Sequence, residues 1–178
     1  MKLNSDKLRR TKPGELSSTE INKNEIYVIL DNILDTYNVG AVFRLADATA
    51  VKKILLCGYT ETPPNTRIKK ASINTVDLTD WEHFDRTEDA IADLRSKIKD
   101  IKIIAVELAD NSIDYTKADY GYPVALIIGN ETHGISENIL SLCDQIVELP
   151  MLGVNVSINT MVSLAIVLYK VIEENGSH

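Results

Sequence analysis

Short, continuously apolar segments alternate with helical patterns along most of this chain. The strand-length runs are IYVIL at 26–30, KILLC at 53–57, KIIAVEL at 102–108, VALIIG at 124–129 and QIVEL at 145–149. Strands that are apolar throughout need cover on both faces, which is typical of parallel sheets. The pattern therefore predicts an α/β fold with a mainly parallel sheet and helices on both faces.

The segments between these runs carry helical patterns. Helices are predicted over about 39–50, 87–99, 136–142 and 157–173, and a further short run lies near 73–78. The last helix is apolar nearly all round over its first three turns, so it must be covered on more than one side. The sheet and a second subunit are the expected covers, and we expect a homodimer.

Length and hydropathy predict one domain, residues 25–178, after a polar arm at 1–24. No apolar run approaches the roughly 20 residues needed to span a bilayer. The first fifteen residues contain basic side chains but lead into no apolar block, unlike a secretory signal. We expect a cytoplasmic protein with no membrane partner.

The net charge of −7 argues against general binding of polyanions. Two basic clusters remain that are either solvated surface or local phosphate contacts: Lys7, Arg9, Arg10 and Lys12, and then Arg67, Lys69 and Lys70. Cys57 and Cys143 lack the paired spacing of a zinc site or a disulfide framework. They are predicted to be buried thiols, and no metal is expected.

Three clusters have the residue types of a functional site. The first is NVGAVFRLADA at 38–48, where Arg44 is the one cation on an apolar helix. A lone helical arginine is usually a surface residue, but these apolar neighbours favour a charge held at a pocket edge.

The second cluster is GNETHG at 129–134, which has neither the Lys-Ser/Thr ending of a P-loop nor the dinucleotide-binding spacing. Glu131 follows a strand end, where a carboxylate can act through hydrogen bonds; the alternative is a turn in which the glycines only permit a positive φ. His133 is either an acid or base or an ordinary loop residue.

The third cluster, at 149–163, carries Ser157 and Asn159 at the predicted start of the last helix. Such residues cap free N–H groups, and helix amino ends also orient polar ligands. Loops that leave parallel strands at their carboxyl ends are where α/β proteins bind ligands. The second and third clusters therefore predict a cofactor pocket.

Together the three clusters resemble, in order, the motifs of the SpoU/TrmH branch of the SPOUT methyltransferases. The matching residues are Asn38, Gly40 and Arg44, then Gly129, Glu131 and Gly134, then Pro150, Met151, Gly153, Ser157, Ile158 and Asn159. The resemblance covers residues 26–173. It implies a SPOUT domain with a deep carboxyl-terminal trefoil knot, an exception to the usual unknotted topology.

The resemblance also implies a cofactor, S-adenosylmethionine, and a homodimer with the active site near the subunit interface. Cofactor-binding residues are then expected at Glu107, Ile128, Gly129, Leu149, Met151, Ser157 and Ile158. The implied reaction is methylation of a ribose 2′-hydroxyl in tRNA or rRNA. Because only about 25 residues precede the first predicted strand, recognition of the RNA is expected from this domain, the arm and the dimer.

The catalytic residues implied by the resemblance are Arg44, Glu131, Ser157, Asn159 and Asn38. Arg44 has the central role, either as the base or, because a guanidinium stays protonated, as the group that holds a phosphate and stabilises the developing alkoxide. Glu131, Ser157 and Asn159 are expected to orient the arginine, the ribose and the cofactor. The alternatives are a SPOUT enzyme that methylates a base and a non-catalytic RNA-binding knot protein.

Overall fold

The computed structural model describes residues 6–7 and 21–176, so most of the predicted arm, with Arg9, Arg10 and Lys12, lies outside the described residues. Seven strands form one sheet in the order β3-β2-β1-β6-β4-β7-β5, and all six neighbouring pairs are parallel. The strands are β1 Asn24–Asp31, β2 Val51–Cys57, β3 Asp80–Phe84, β4 Lys102–Val106, β5 Ile113–Asp114, β6 Val124–Ile128 and β7 Gln145–Glu148. The predicted parallel α/β sheet is confirmed.

Helices cover both faces of this sheet. They are α1 Thr36–Ala48, α2 Thr66–Ser72, α3 Thr87–Lys97, α4 Glu137–Leu140 and α5 Thr160–Glu174, with 3-10 turns at Thr75–Leu78 and Tyr115–Lys117. Helices α1, α2 and α5 contribute to one hydrophobic core, and α3 and α4 to the core on the opposite face. No described helix has the length and apolar character required to cross a membrane.

Strand β1 shows why the apolar runs have no polar alternation. Val28 and Leu30 lie in the core beneath α1 and α5, whereas Tyr27 and Ile29 lie in the core beneath α3 and α4. Alternate side chains of a strand point to opposite faces. Because both faces of β1 are covered, every position from Ile26 to Leu30 is buried.

The sequence patterns did not predict two of the strands and one of the helices. Strand β3 reads DWEHF and lies at a sheet edge, where its polar side chains reach solvent, and β5 is only two residues long. Helix α2 is short and basic, but Asn65 marks its start, because its Oδ1 accepts hydrogen bonds from the N–H groups of Arg67 (2.9 Å) and Ile68 (3.3 Å). That cap was the available signal.

The last helix begins at Thr160 rather than at residue 157. Asn159 is its cap, and Ser157 lies in the preceding loop. The face toward the sheet buries Leu164, Val167, Leu168 and Val171 completely. Val162, Ile166 and Tyr169, at helical spacing on another face, remain 40%, 37% and 55% exposed.

The two cysteines differ in burial. Cys57 is fully buried at the end of β2, as predicted, whereas Cys143 is only partly buried. Burial is the main cause that raises the pKa of each thiol to about 12. Both thiols are therefore protonated at neutral pH, and neither has the depressed pKa of a reactive cysteine.

Candidate functional site

The connections of the sheet reverse direction between β1 and β6. From β1 the chain continues outward through β2 and β3, and then crosses to the other side to form β4. Ligands of open α/β sheets bind outside the carboxyl ends of the strands at such a switch point. The loop after β1 leads there into α1, which carries the first sequence cluster, and the loop after β6 carries the second.

Glu131, in the loop after β6, connects that loop to the start of α1. Its Oε2 accepts a hydrogen bond from the N–H of Leu34 (3.0 Å), and its Oε1 accepts from the N–H of Asp35 (3.1 Å) and from Asn38 Nδ2 (3.0 Å). Burial opposes ionisation of Glu131, but these hydrogen bonds outweigh it and lower the pKa of its carboxyl group. The ionised side chain is thus an acceptor that fixes α1, rather than a proton donor.

Asn38 and Asn159 extend this network to the last helix. Asn38 is buried, and its Oδ1 accepts from Asn159 Nδ2 at 3.1 Å across 121 residues of sequence. Asn159 Oδ1 in turn accepts from the N–H groups of Met161 (2.9 Å) and Val162 (3.3 Å). One residue from each predicted motif is therefore hydrogen-bonded to the next.

The glycines of the 129–134 loop are required for close packing. A Cβ on Gly129 would lie 2.5 Å from the carbonyl carbon of Gly134. Gly134 itself has φ +64°, and a Cβ there would overlap the Glu107 carboxylate. That carboxylate accepts from the N–H of Ile135 (2.9 Å) and of Leu108 (2.9 Å), so the loop is held against the end of β4.

A cavity of about 290 Å³ opens where β4 and β7 end. These two strands are neighbours, so the loops that follow them meet at one edge of the sheet. The lining residues are Val106, Glu107, Leu108, Val147, Glu148, Leu149, Pro150, Met151, Val156, Ser157, Ile158 and Ser163. The walls are mostly apolar with a few polar groups, which is typical of a small-molecule site.

Arg44 is exposed on α1, six residues after Asn38. Among the described residues its guanidinium makes no hydrogen bond and no ion pair. Its predicted place at a pocket edge stays a prediction, and no residue of the described ranges accepts from its five N–H donors.

Five of the predicted cofactor residues line the 290 Å³ cavity: Glu107, Leu149, Met151, Ser157 and Ile158. Ile128 is buried in the sheet core and Gly129 lies beside it. The cofactor-binding roles of all seven residues stay predictions. The sequence patterns did not single out Glu148, which lines the cavity and accepts a hydrogen bond from Ser112 Oγ at 2.5 Å. Its position at the end of β7 was the available signal.

His133 lies away from that cavity. It lines a second cavity of about 620 Å³ at the ends of β1, β2 and β3, together with Asp31, Tyr59 and Arg86. Asp31 is the buried acid of this group, and Thr87 Oγ1 donates a hydrogen bond of 2.6 Å to it. The described part of the chain contains no cluster of His, Cys, Asp and Glu that could hold a metal ion with His133.

Solved structures share this architecture. An AdoMet-bound rRNA methyltransferase from Sinorhizobium meliloti superposes with a TM-score of 0.79 at 28% identity, over 94% of this chain and 60% of that protein. The AdoMet-bound SpoU methyltransferase AviRb from Streptomyces viridochromogenes has a TM-score of 0.78 at 22% identity, over 89% of this chain and 64% of that protein, and supports the fold alone.

Curated relatives are similar in sequence. The tRNA (guanosine(18)-2′-O)-methyltransferase of Escherichia coli is 28% identical over 148 residues, which are 82% of this chain and 62% of that enzyme. The enzyme of the same name from Aquifex aeolicus is 29% identical over 155 residues, 85% of this chain and 70% of that enzyme. The chain thus spans less than two thirds of the E. coli relative.

The match to a family model covers all of the sheet except Asn24, and all three motifs. The model of the SpoU rRNA Methylase family matches residues 25–169, which include Arg44, Glu131 and Asn159. The chain therefore belongs to the SpoU rRNA Methylase family.

Proposed function

We propose that this protein is an S-adenosylmethionine-dependent methyltransferase that modifies a ribose 2′-hydroxyl of tRNA or rRNA. The observation that carries the proposal is the hydrogen-bonded chain from Glu131 through Asn38 to Asn159. It joins the three motifs of the family at the switch point of the sheet. Relatives named as 2′-O-methyltransferases and AdoMet-bound neighbours support the same reaction and cofactor.

The 290 Å³ cavity fits the cofactor in chemistry. Leu149, Met151 and Ile158 offer apolar walls for an adenine ring. Glu107 and Glu148 offer carboxylate oxygens that can accept hydrogen bonds from ribose hydroxyls. When bound, S-adenosylmethionine would supply an electrophilic methyl group for the ribose 2′-oxygen, and S-adenosylhomocysteine and one proton would be released.

Arg44 is the group of this chain that we assign to the RNA. Its guanidinium is protonated at any ordinary pH, so it cannot remove the 2′-proton. It can hold the phosphate next to the target ribose and stabilise negative charge as it develops on the 2′-oxygen. The free donors of its exposed side chain match this role, because no other described residue occupies them.

Glu131, Asn38 and Asn159 are positioning residues in this proposal. Glu131 and Asn38 hold the first turn of α1, which sets where Arg44 lies two turns later. Asn159 caps α5 and ends the loop that carries Ser157 into the cavity. Fixing two reacting groups in one geometry is a large part of the rate gain of an enzyme.

We further propose the homodimer and the trefoil knot of the SPOUT fold for this chain. The exposed apolar face of α5, formed by Val162, Ile166 and Tyr169, supports the dimer. Leu34 and Tyr37 extend this apolar face and are 58% and 50% exposed. They lie near it because the Asn38–Asn159 hydrogen bond joins the starts of α1 and α5. An apolar patch of this kind usually marks a protein interface.

The test is methyl transfer to RNA with radiolabelled S-adenosylmethionine, followed by alkaline hydrolysis of the product. A 2′-O-methyl group blocks cleavage of the following phosphodiester, so the label should appear in alkali-resistant dinucleotides. Label in single nucleotides would instead show base methylation. Binding of RNA without cofactor binding or transfer would favour the non-catalytic alternative.

A further inference from the structure

We propose that the exposed face of α2 binds backbone phosphates of the RNA beside the nucleotide that reaches Arg44. This α2 cationic surface consists of Arg67, Lys69 and Lys70, which are all exposed. The inference rests on the proposed function and adds to it the surface that receives the substrate.

The first argument is the distribution of ion pairs in an acidic protein. Eight of the fifteen described Lys and Arg side chains are paired with a carboxylate: Lys52 with Glu25, Lys53 with Glu82, Arg86 with Glu88, Arg95 with Asp144, Lys97 with Asp93, Lys99 with Asp100, Lys102 with Asp119 and Lys170 with Glu173. The side chains of Arg67, Lys69 and Lys70 have no such partner among the described residues. Residues 62–76 contain no Asp or Glu.

The second argument is the position of α2 against α1. A Cβ on Gly40 of α1 would lie 2.5 Å from Ala71 Cβ and 2.7 Å from the Ile68 carbonyl oxygen, so the two helices touch there. Arg44 follows Gly40 by four residues, and Arg67 precedes Ala71 by four residues. Residues four apart share one side of a helix, so each arginine lies on the side of its own helix that carries the α1–α2 contact.

The third argument is the chemistry of the partner. A polyanion gains from cations that are clustered and unpaired, because each phosphate contact releases counterions. A net charge of −7 repels RNA from most of the molecule, so a local positive surface decides where it docks. Lys69 and Lys70 also stabilise α2, because positive charge is favourable at the carboxyl end of a helix dipole. The experiment must therefore separate RNA binding from helix stability.

The experiment compares two full-length variants with equal loss of charge. The test variant is Arg67→Gln, Lys69→Gln, Lys70→Gln, and the control is Lys52→Gln, Lys97→Gln, Lys99→Gln. Fluorescence anisotropy with end-labelled bulk tRNA gives Kd between about 50 and 200 mM salt. Calorimetry with S-adenosylmethionine and thermal unfolding check cofactor binding and folding.

We expect the test variant to bind tRNA about tenfold more weakly than the control, with unchanged cofactor affinity. The slope of log Kd against log salt should fall by about 2, at roughly 0.7 to 0.9 per lost phosphate contact. A charge-retaining variant, Lys69→Arg, Lys70→Arg, should keep wild-type binding. This arm separates loss of charge from loss of the lysine side chains.

Two outcomes have different meanings. If the wild type transfers methyl groups but the test variant keeps the Kd and the salt slope of the control, the α2 inference is overturned and the proposed function stands. If the wild type neither binds S-adenosylmethionine nor modifies RNA, the proposed function is contradicted, and so is the α2 inference that rests on it.

Discussion

Arg44 is an exposed cation that no carboxylate of the described residues neutralises. It projects from a helix that is otherwise mostly buried, and no described side chain accepts its hydrogen bonds. An exposed, unpaired cation of this kind is either a solvated surface charge without a function or a contact for an anion from outside the chain. The proposed reaction requires the second, and substitution of Arg44 distinguishes the two.

Arg44→Ala is expected to lower methyl transfer by about 10²- to 10³-fold, the usual cost of removing one group that stabilises developing negative charge. Cofactor affinity should change little, because Arg44 does not line the 290 Å³ cavity. Single-turnover transfer and calorimetry measure the two quantities, with Arg95→Ala on α3 as the control. Equal losses in transfer and in cofactor binding would contradict the assignment.

Asp31 gives a prediction for pH. Burial raises its pKa despite the hydrogen bonds from Thr87 and Asn32. The folded protein therefore binds this proton more tightly than the unfolded chain. The stability that comes from protonated Asp31 is fully present below the pKa of the unfolded chain, about 4. It is lost as the pH rises through the raised pKa of the folded protein.

We therefore expect Asp31→Asn to become progressively more stable than the wild type as the pH rises from about 4 toward 7. Urea unfolding at several pH values measures the difference. The control is Asp85→Asn, because Asp85 lines the same 620 Å³ cavity as Asp31 but is highly exposed. A difference that is constant across this range would exclude the burial of the Asp31 charge as its cause.

At the scale of elements, the contact between α1 and α2 depends on Gly40. Replacing a helical glycine by alanine normally stabilises a protein by up to about 1 kcal/mol. Here the added Cβ would lie 2.5 Å from Ala71 Cβ and 2.7 Å from a backbone oxygen. The overlap should reverse the sign of the effect.

Gly40→Ala is expected to lower the free energy of unfolding by about 1–3 kcal/mol, as overpacking does in cores. Chemical denaturation measures it. Gly153→Ala is the matched control, because nothing lies within 4 Å of its added Cβ. A stabilised Gly40→Ala protein would mean that α1 and α2 do not pack as closely as described.

The sequence predicted elements well where burial was uniform. The buried strands β1, β2, β4, β6 and β7 were all found, because apolar runs covered on both faces leave a strong local signal. Strand β3 was missed because it lies at the edge of the sheet, where polar side chains reach solvent and interrupt the apolar pattern. The start of α5 was placed three residues early because Ser157 and Asn159 are both good caps, and only the backbone shows that Asn159 caps it.

At the scale of the molecule, α5 presents one face to the sheet and one to solvent. The solvent face carries Val162, Ile166 and Tyr169. An apolar face of this kind is stabilised when a second copy removes it from water. The homodimer is thus a prediction about how the whole molecule covers its last helix.

Ile166→Asp is expected to convert the dimer to a monomer, because a carboxylate buried in an apolar interface has no partner. Sedimentation equilibrium measures the mass. Ala92→Asp, at an exposed position of α3, is the control and should leave the mass unchanged. A wild-type protein that sediments as a monomer would contradict the dimer.

The sequence by itself determined the parallel α/β fold and the three motifs, because periodicity, burial and motif spacing are local properties of the chain. Only the tertiary structure decided that Glu131 binds the start of α1, that Asn38 reaches Asn159 across 121 residues, and that Gly40 of α1 packs against Ala71 of α2. These pairings depend on strand order and on distances between helices. No local pattern encodes them, since they arise only when distant segments pack together.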